Sequence, residues 1–335
     1  MLLSMILPVF NSEPWLARCL DSILAAGVTN CEIILVDDGS SDGSHIIEDD
    51  YARRYPFVHV IRQSNCGPSS ARNTGLRQCS GNYVAFFDSD DYLLSSAFAK
   101  TVSLLPTSDA DFWVSDFYRV ADNSSILDRV CQIEDHDYPS FDAEALEHFL
   151  NSGDCVWNIW RCLFNRRFLL ENHLFFREGY HCGEDLEFMV RALTTAKKIA
   201  FYHNPYYCYR VNYGNTLTRR YTAERVRQLM TMLQSAVRHL TGDSRSVAVS
   251  IRRMLAREYF LNLSLYADCP RSERREALHH LQNAQNILAL NDRGIYRLSA
   301  RFASCFGIPV TAWLLLGMKR LRRARRQILQ RRHEP

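Results

Sequence analysis

Short, continuous apolar runs alternate with helical patterns over residues 1–91 of the chain. Leu3 to Phe10 is the first such run. Asn11-Ser12-Glu13-Pro14 then reads as a turn that places Pro14 at a first helical position, and Trp15 to Ala25 carries helical spacing. Glu32 to Val36, Phe57 to Arg62 and Tyr83 to Phe87 repeat the apolar run. Runs that lack polar alternation and are flanked by helical patterns predict parallel strands covered on both faces. Each run gives way to a polar loop, and in an open α/β sheet such loops gather beyond the carboxyl ends of the strands, where ligands bind. The predicted fold is therefore a nucleotide-binding α/β domain with a mostly parallel sheet.

The loops carry the chemistry. After the second run comes Asp37-Asp38-Gly39-Ser40-Ser41-Asp42-Gly43-Ser44, and after the fourth comes Asp88-Ser89-Asp90-Asp91. Carboxylates this close repel one another unless a divalent metal or a positively charged ligand offsets the repulsion. Taken one at a time, both segments also read as ordinary helix-capping turns. Between them, Asn65-Cys66-Gly67-Pro68-Ser69-Ser70-Ala71-Arg72-Asn73-Thr74-Gly75-Leu76 opens a helix with a tight turn at Gly67 and projects Arg72 from the first turn. A helix start with a neighbouring guanidinium suits phosphate, and the same Arg72 equally suits pairing with an acid.

Taken together, Pro8-Val9-Phe10-Asn11, Val36 to Asp42, Asn65 to Leu76 and Asp88 to Asp91, with Gly183-Glu184-Asp185-Leu186-Glu187-Phe188 far downstream, resemble the ordered motif series of family 2 glycosyltransferases with the GT-A fold. The resemblance covers roughly residues 1–215. It implies that the loop after the first strand and the Asp-Asp turn hold the nucleoside of a nucleotide-sugar donor. Pro8, Val9, Asn11 and Glu13 would then lie near base and ribose, Asp38 would accept hydrogen bonds from a uracil-like base, and Asp37 would stand beside it. It implies that Asp88, Ser89 and Asp90 contact the donor, that Asp88 and Asp90, with Asp91 as a further candidate, hold Mg²⁺ or Mn²⁺ on the diphosphate, and that Arg72 either supports that diphosphate or braces the carboxylates. It assigns the catalytic base to Asp185, with Glu184 beside it, in a single displacement with inversion. Without the resemblance, Glu184 and Asp185 read as favourable acids in a first helical turn.

Other segments are less specific. Asp109 to Val120 is predicted as a strand, and the polar stretch from Asp122 to Asp142 as the place of acceptor recognition. Trp157 and Trp160, ahead of a helix from Arg166 to Leu174, either pack in the core or stack on a sugar ring. Tyr206 to Arg210, with the loop Asn212 to Thr216, resembles the family's last strand and closing loop, in which Arg210 either reaches phosphates or serves structure. From Thr222 the texture turns helical, with Val226 to Leu240, Val247 to Tyr266 and Glu273 to Leu290 at helical spacing and no catalytic constellation. The expected organisation is a catalytic domain over 1–220, a helical extension over 221–306 and a membrane-associating helix over 307–335.

Composition changes the picture at one place. The eleven cysteines show no C-x-x-C and no zinc-like spacing, which points to reduced thiols in a reducing compartment. Met1 to Phe10 lacks the basic flank of a signal peptide and is needed as a strand. The net charge of +3 is local in origin, because Lys319, Arg320, Arg322, Arg323, Arg325, Arg326, Arg331 and Arg332 face only Glu334 over residues 319–335, leaving the rest of the chain net acidic. These cations follow the apolar run Ile308 to Met318, which is too short by itself to cross a bilayer but suits contact with an anionic membrane surface. No nucleic-acid partner is expected. The predicted function is transfer of a hexose from a nucleotide sugar, UDP-linked, to a hydroxyl of a lipid-linked or lipopolysaccharide-type saccharide at the inner face of the cytoplasmic membrane. The alternative is an inactive nucleotide-sugar-binding partner in an assembly complex, which the joint presence of Asp38, Asp90 and Asp185 opposes. Nucleotidyl transfer lacks its G-x-G-T-R-like loop after the first strand.

Overall fold

The computed structural model describes residues 1–130, 146, 149–150, 157–211 and 221–331, side chains 267 and 318–331 excepted. The chain divides into two compact units, Met1–Gly214 and Asn215–Pro335. The first unit opens with the expected alternation: β1 (Leu3–Val9), α1 (Glu13–Leu24), β2 (Cys31–Asp37), α2 (Ser44–Arg54), β3 (Val58–Arg62), α3 (Pro68–Gln78) and β4 (Tyr83–Phe86). It continues with β5 (Tyr92–Leu93), α4 (Ser95–Leu104), β6 (Phe112–Val120), β7 (Ile126–Val130), β8 (Cys162–Asn165), α5 (Arg166–Glu171), α6 (Glu184–Thr195) and β9 (Ile199–Arg210).

One sheet runs β3-β2-β1-β4-β8-β6-β9-β5, with β7 on β6. Strands β1 to β4, β6 and β9 point one way, and β5, β7 and β8 point the other. Every residue of β2, and all but Pro8 of β1, is buried, as runs without polar alternation require when helices cover both faces. Gly75 shows how closely α3 lies on the sheet, since a β-carbon there would come within 2.4 Å of Ile6 Cγ2. The register then sets the site: Val9 pairs with Asp37, Asp37 with Arg62, and Ile6 with Phe86. The loops following β1, β2 and β4 therefore leave the sheet side by side at its carboxyl edge.

The site-bearing helix α6 is secured by aromatic packing. Phe86 of β4 meets Phe176 edge-on at 5.1 Å between ring centres, and Phe176 stacks on Phe188 of α6 at 4.2 Å. In the second unit, α7 (Ala223–His239), α8 (Ser246–Leu265), α9 (Arg274–Asn283) and α10 (Gly294–Arg331) pack around Leu233, Leu255, Tyr259 and Leu281. Thr222 caps α7 by accepting from the Arg225 amide at 3.2 Å, and the Tyr259 hydroxyl donates to the Leu281 carbonyl at 2.7 Å. The third predicted helix is shorter than its periodicity suggests, because the chain tightens into a 3₁₀ turn over Gln285–Leu290.

One expectation is corrected: the apolar run Ile308 to Met318 lies in a longer helical stretch, broken at Gly307, of which Gly294–Gly317 spans 24 residues and is long and apolar enough by length and composition to cross a membrane. Within the polar stretch from Asp122 to Asp142, strand β7 is described, while residues 131–142, like the loop Asn212 to Thr216, lie outside the described residues.

Behind the β2 loop, Glu48 of α2 is fully buried and neither carboxylate oxygen has a hydrogen-bond partner among the described residues. The Arg62 Nη2 is 3.7 Å away. Burial, aided by the Asp37 charge and opposed by Arg62, pushes the carboxyl up to about 8. The folded protein thus keeps a proton that the unfolded chain releases near pH 4.3, so stability falls as pH rises between about 4.3 and about 8, by up to about 1.4 kcal/mol per unit. Glu48→Gln should flatten this slope, with stability near wild type at pH 5 and clearly higher at pH 8.5. Thermal unfolding across that range checks this, and parallel profiles for the two proteins would refute it.

Candidate functional site

Asn11 follows β1 with a left-handed backbone (φ 50°), and its Oδ1 accepts from the Ser41 amide at 2.8 Å. Glu13 reaches the same neighbouring loop, accepting from the Gly43 amide at 2.9 Å. A β-carbon at Gly43 would fall 2.5 Å from the Glu13 carboxylate, so a side chain there would displace Glu13 from this contact. Ser12 adds a link to the acidic turn, its hydroxyl 2.7 Å from that of Ser89. Pro8 and Val9 are the last two residues of β1, leading into this loop.

Asp37 folds its own turn by accepting from the Ser40 amide at 2.8 Å. Asp38 is 3% exposed and organises the start of α3: Oδ1 accepts from Gln63 Nε2 at 2.7 Å and the Cys66 amide at 2.9 Å, and Oδ2 from the Gly67 amide at 2.8 Å. The expected contact between Asp38 and a base thus competes with donors the protein already supplies, and Asp38 shapes the 65–67 turn. Gly67 (φ 88°) carries the His181 ring so closely that a β-carbon would sit 2.6 Å from it.

At the centre is Arg72, whose side chain is 6% exposed. Its Nη2 donates to Asp88 Oδ1 at 3.0 Å, and its Nη1 to Asp185 Oδ1 at 3.1 Å and Glu184 Oε1 at 3.3 Å. Burial opposes the positive charge, but the Asp185, Asp88 and Glu184 carboxylates outweigh it and hold the guanidinium above its ordinary pKa. Of the two roles open to Arg72, bracing the carboxylates is the one seen. Arg72 and Asp185, 113 positions apart in the chain, meet in this contact.

Asp185 stands in the first turn of α6, after Gly183 in the left-handed region (φ 83°). Burial pushes its carboxyl up, with Glu184 and Asp88 adding to the effect against Arg72. Asn73, which had no role in the sequence reading, fixes the approach to α6: its amide donates to the Phe176 carbonyl at 2.9 Å and accepts from the Phe176 amide at 2.8 Å. Asn73 lies inside a motif singled out for Arg72, but its partner 103 residues away carries no sequence signal.

The acidic turn itself divides in two. Asp91 is 2% exposed and committed to structure, accepting from the Tyr207 hydroxyl at 2.8 Å and the Arg210 amide at 2.7 Å. Arg210, the other candidate for phosphates, donates from Nε to the Asp90 carbonyl at 3.0 Å and lies over the Trp15 ring at 4.0 Å. Trp160 is stacked on Tyr207 at 4.3 Å and on Tyr209 at 5.2 Å and is buried, so sugar stacking gives way to core packing. Trp157 is likewise buried. Sequence reading also missed Tyr207, which accepts from the Asp88 amide at 3.2 Å and so ties both ends of the acidic turn to β9.

Ligand oxygens of Asp88, Asp90 and Asp91 lie within 4.8 Å of one another. With Asp91 engaged, Asp88 and Asp90 are the pair suited to a cation. Among the described residues no ion pair involves Asp90, whose carboxyl is pushed up to about 7 by burial and by Asp88. Two hard oxygen donors repelling each other in a half-buried turn fit a divalent ion.

Residues 4–174 match the family model described as Glycosyl transferase family 2. The uncharacterized glycosyltransferase EpsJ of Bacillus subtilis (strain 168) is 34% identical over 65% of this chain and 63% of its own length, so the match spans less than two thirds of that relative. Among solved structures, Staphylococcus aureus TarS 1-349 in complex with UDP-GlcNAc superposes with a TM-score of 0.75 at 19% identity, over 96% of this chain and 92% of that one. The mannosyltransferase PcManGT of Pyrobaculum calidifontis, in complex with GDP-Man and Mn²⁺, gives 0.57 at 16% identity over 95% and 86%. These likenesses show the fold, a GT-A-like mixed α/β domain followed by helices.

Arg72→Leu should leave three carboxylates crowded without their counter-charge. Their partial exposure softens the cost expected for a broken buried pair, to about 2–3 kcal/mol. Denaturant unfolding measures this, and a loss below about 0.5 kcal/mol would show that the cation is dispensable to the fold.

Proposed function

The chain belongs to glycosyl transferase family 2, and on that premise we propose that it moves a hexose from a nucleotide sugar, UDP-linked, to a hydroxyl of a lipid-linked or lipopolysaccharide-type saccharide. The reaction is a single displacement with inversion, carried out at the inner face of the cytoplasmic membrane. The observation that carries this reading is the meeting of Asp88 and Asp185 on the two ends of one guanidinium, at the edge where the β1 and β2 loops also converge. The fold shared with proteins that hold UDP-GlcNAc or GDP-Man supports the donor class.

The roles follow from the chemistry. The loops carrying Asn11, Glu13 and Asp38 form the wall for the nucleoside. Asp88 and Asp90 hold a divalent ion, Mg²⁺ or Mn²⁺, whose charge would stabilise the departing diphosphate. Asp185, raised in basicity by burial, takes the proton of the acceptor hydroxyl as its oxygen bonds to the anomeric carbon, and the electron pair of the breaking bond leaves with the nucleoside diphosphate. Arg72 keeps Asp185 and Asp88 at fixed separation, and Asn73 with the Phe176–Phe188 stack holds α6 in place for that attack.

Asp185→Asn preserves size and removes the base, so turnover should fall by roughly 10²–10⁴ with donor affinity little changed. Asp90→Ala should abolish metal-dependent donor binding and turnover together. Calorimetry of nucleotide-sugar binding with and without divalent ion, beside assays of nucleotide release, separates the two. Near-wild-type turnover in Asp185→Asn, or full wild-type activity in a chelator, would sink the corresponding assignment.

A further inference from the structure

The second half of α10 exposes an apolar face that sugar transfer leaves unused. Gly307 departs from helical geometry (φ 80°, ψ 163°) and Pro309 opens the helix that follows, so residues 308–331 form a rod of their own. One side is packed, with Ile308, Thr311, Ala312, Leu315 and Leu316 buried. On the other side Val310, Trp313 and Leu314 are 50%, 49% and 46% exposed, at the three- and four-residue spacing that makes one stripe. Phe306, 61% exposed, stands just before the break with its ring centre 4.5 Å from that of Phe302. Nowhere else among the described residues do four exposed large apolar side chains fall within nine positions. Single exposed apolar residues are ordinary on a protein surface, whereas a gathered patch marks an interaction site.

The sequence indicates the occupant. The same helix runs on through Arg331, and the residues after the stripe are Lys319, Arg320, Arg322, Arg323, Arg325, Arg326 and Arg331 with no acid among them. We propose that residues 306–331 dock flat on an anionic lipid bilayer, with Phe306, Val310, Trp313 and Leu314 entering the boundary between headgroups and acyl chains while the basic turns meet lipid phosphates. An apolar stripe with an indole, continued by dense cations, complements a fluid anionic surface. Spanning the bilayer is disfavoured even though Gly294–Gly317 is long enough, because it would strip Ile308, Ala312, Leu315 and Leu316 from the packing of this helix on its own unit and would leave the break at Gly307 in hydrocarbon. The proposal rests on the reading that the acceptor is held at a membrane, and it deepens that reading by naming the surface that brings the enzyme there.

The test is co-sedimentation of full-length protein with phosphatidylcholine vesicles, with and without phosphatidylglycerol, across a salt series. Val310→Ser, Trp313→Ser and Leu314→Ser combined should weaken binding by about tenfold or more at every salt concentration, with thermal unfolding confirming an intact fold. Arg320→Gln, Arg323→Gln and Arg326→Gln combined should erase the preference for phosphatidylglycerol and most of the salt sensitivity. Equal sedimentation of the wild type and the apolar variant would overturn the proposal. So would a wild type that ignores vesicles but forms a dimer that the apolar variant loses, which would assign the face to a second copy of the chain. Vesicle binding as described, from a protein that releases nucleotide from no sugar donor, would support this surface while removing the proposed function.

Discussion

The candidate site depends on one buried cation shared by three carboxylates. Arg72 projects from the first turn of α3, Asp88 follows β4, and Glu184 and Asp185 begin α6, so three separate elements end on a single guanidinium. The planar fork of an arginine suits this task, because its terminal nitrogens fix the separation of the groups they hold, which the point charge of a lysine does not. The turn also carries Asp90 and Asp91, so acids outnumber bases there even with Arg210, whose side chain contacts the Asp90 carbonyl, the Trp15 ring and Asp122. An acidic cluster of this kind accommodates an anionic diphosphate best with a further cation, which supports the role proposed for Asp88 and Asp90 in holding a divalent ion.

Much of this architecture was legible in the sequence because the first strands are local. Continuous apolar runs ending in polar loops specify parallel strands whose carboxyl ends align, and Val9, Asp37 and Arg62 do fall on one register line. The motif loops were therefore placed correctly relative to each other by pattern alone. The distant E-D motif was recognisable by resemblance, but what brings it to Asp88 was not. That work is done by the Asn73 clamp on Phe176 and by the Phe86–Phe176–Phe188 stack, pairings across about a hundred residues that leave no periodicity behind.

Where one residue type serves two physical roles, the sequence left both open and burial decided between them. A tryptophan ahead of the E-D motif reads as a sugar platform or as packing; Trp160, buried and stacked on Tyr207 and Tyr209, is packing, and through Tyr207 it backs the acidic turn. Asp91 and Arg210 look like ligand contacts by position, yet Asp91 accepts from the Tyr207 hydroxyl and the Arg210 amide, and the Arg210 side chain donates to the Asp90 carbonyl. In α10, glycine and proline at 307 and 309 mark a break in helical geometry within one long helical stretch. A helix restarting at that proline keeps the two halves continuous in length while allowing them different surroundings.

The sharing of Arg72 also bears on how Asp185, in its proposed role as base, can be both held and effective. A guanidinium committed to Asp185 alone would orient it well and at the same time suppress its affinity for a proton, because a full positive charge nearby favours the carboxylate. Burial and the adjacent Glu184 act in the opposite direction. Arg72 keeps its geometric restraint on Asp88, Glu184 and Asp185 alike, while the Glu184 and Asp88 charges that it also holds raise the Asp185 carboxyl against its pull. Position and proton affinity, which a simple ion pair sets against each other, are reconciled by gathering further acids on the same cation, an arrangement that suits the base role proposed for Asp185.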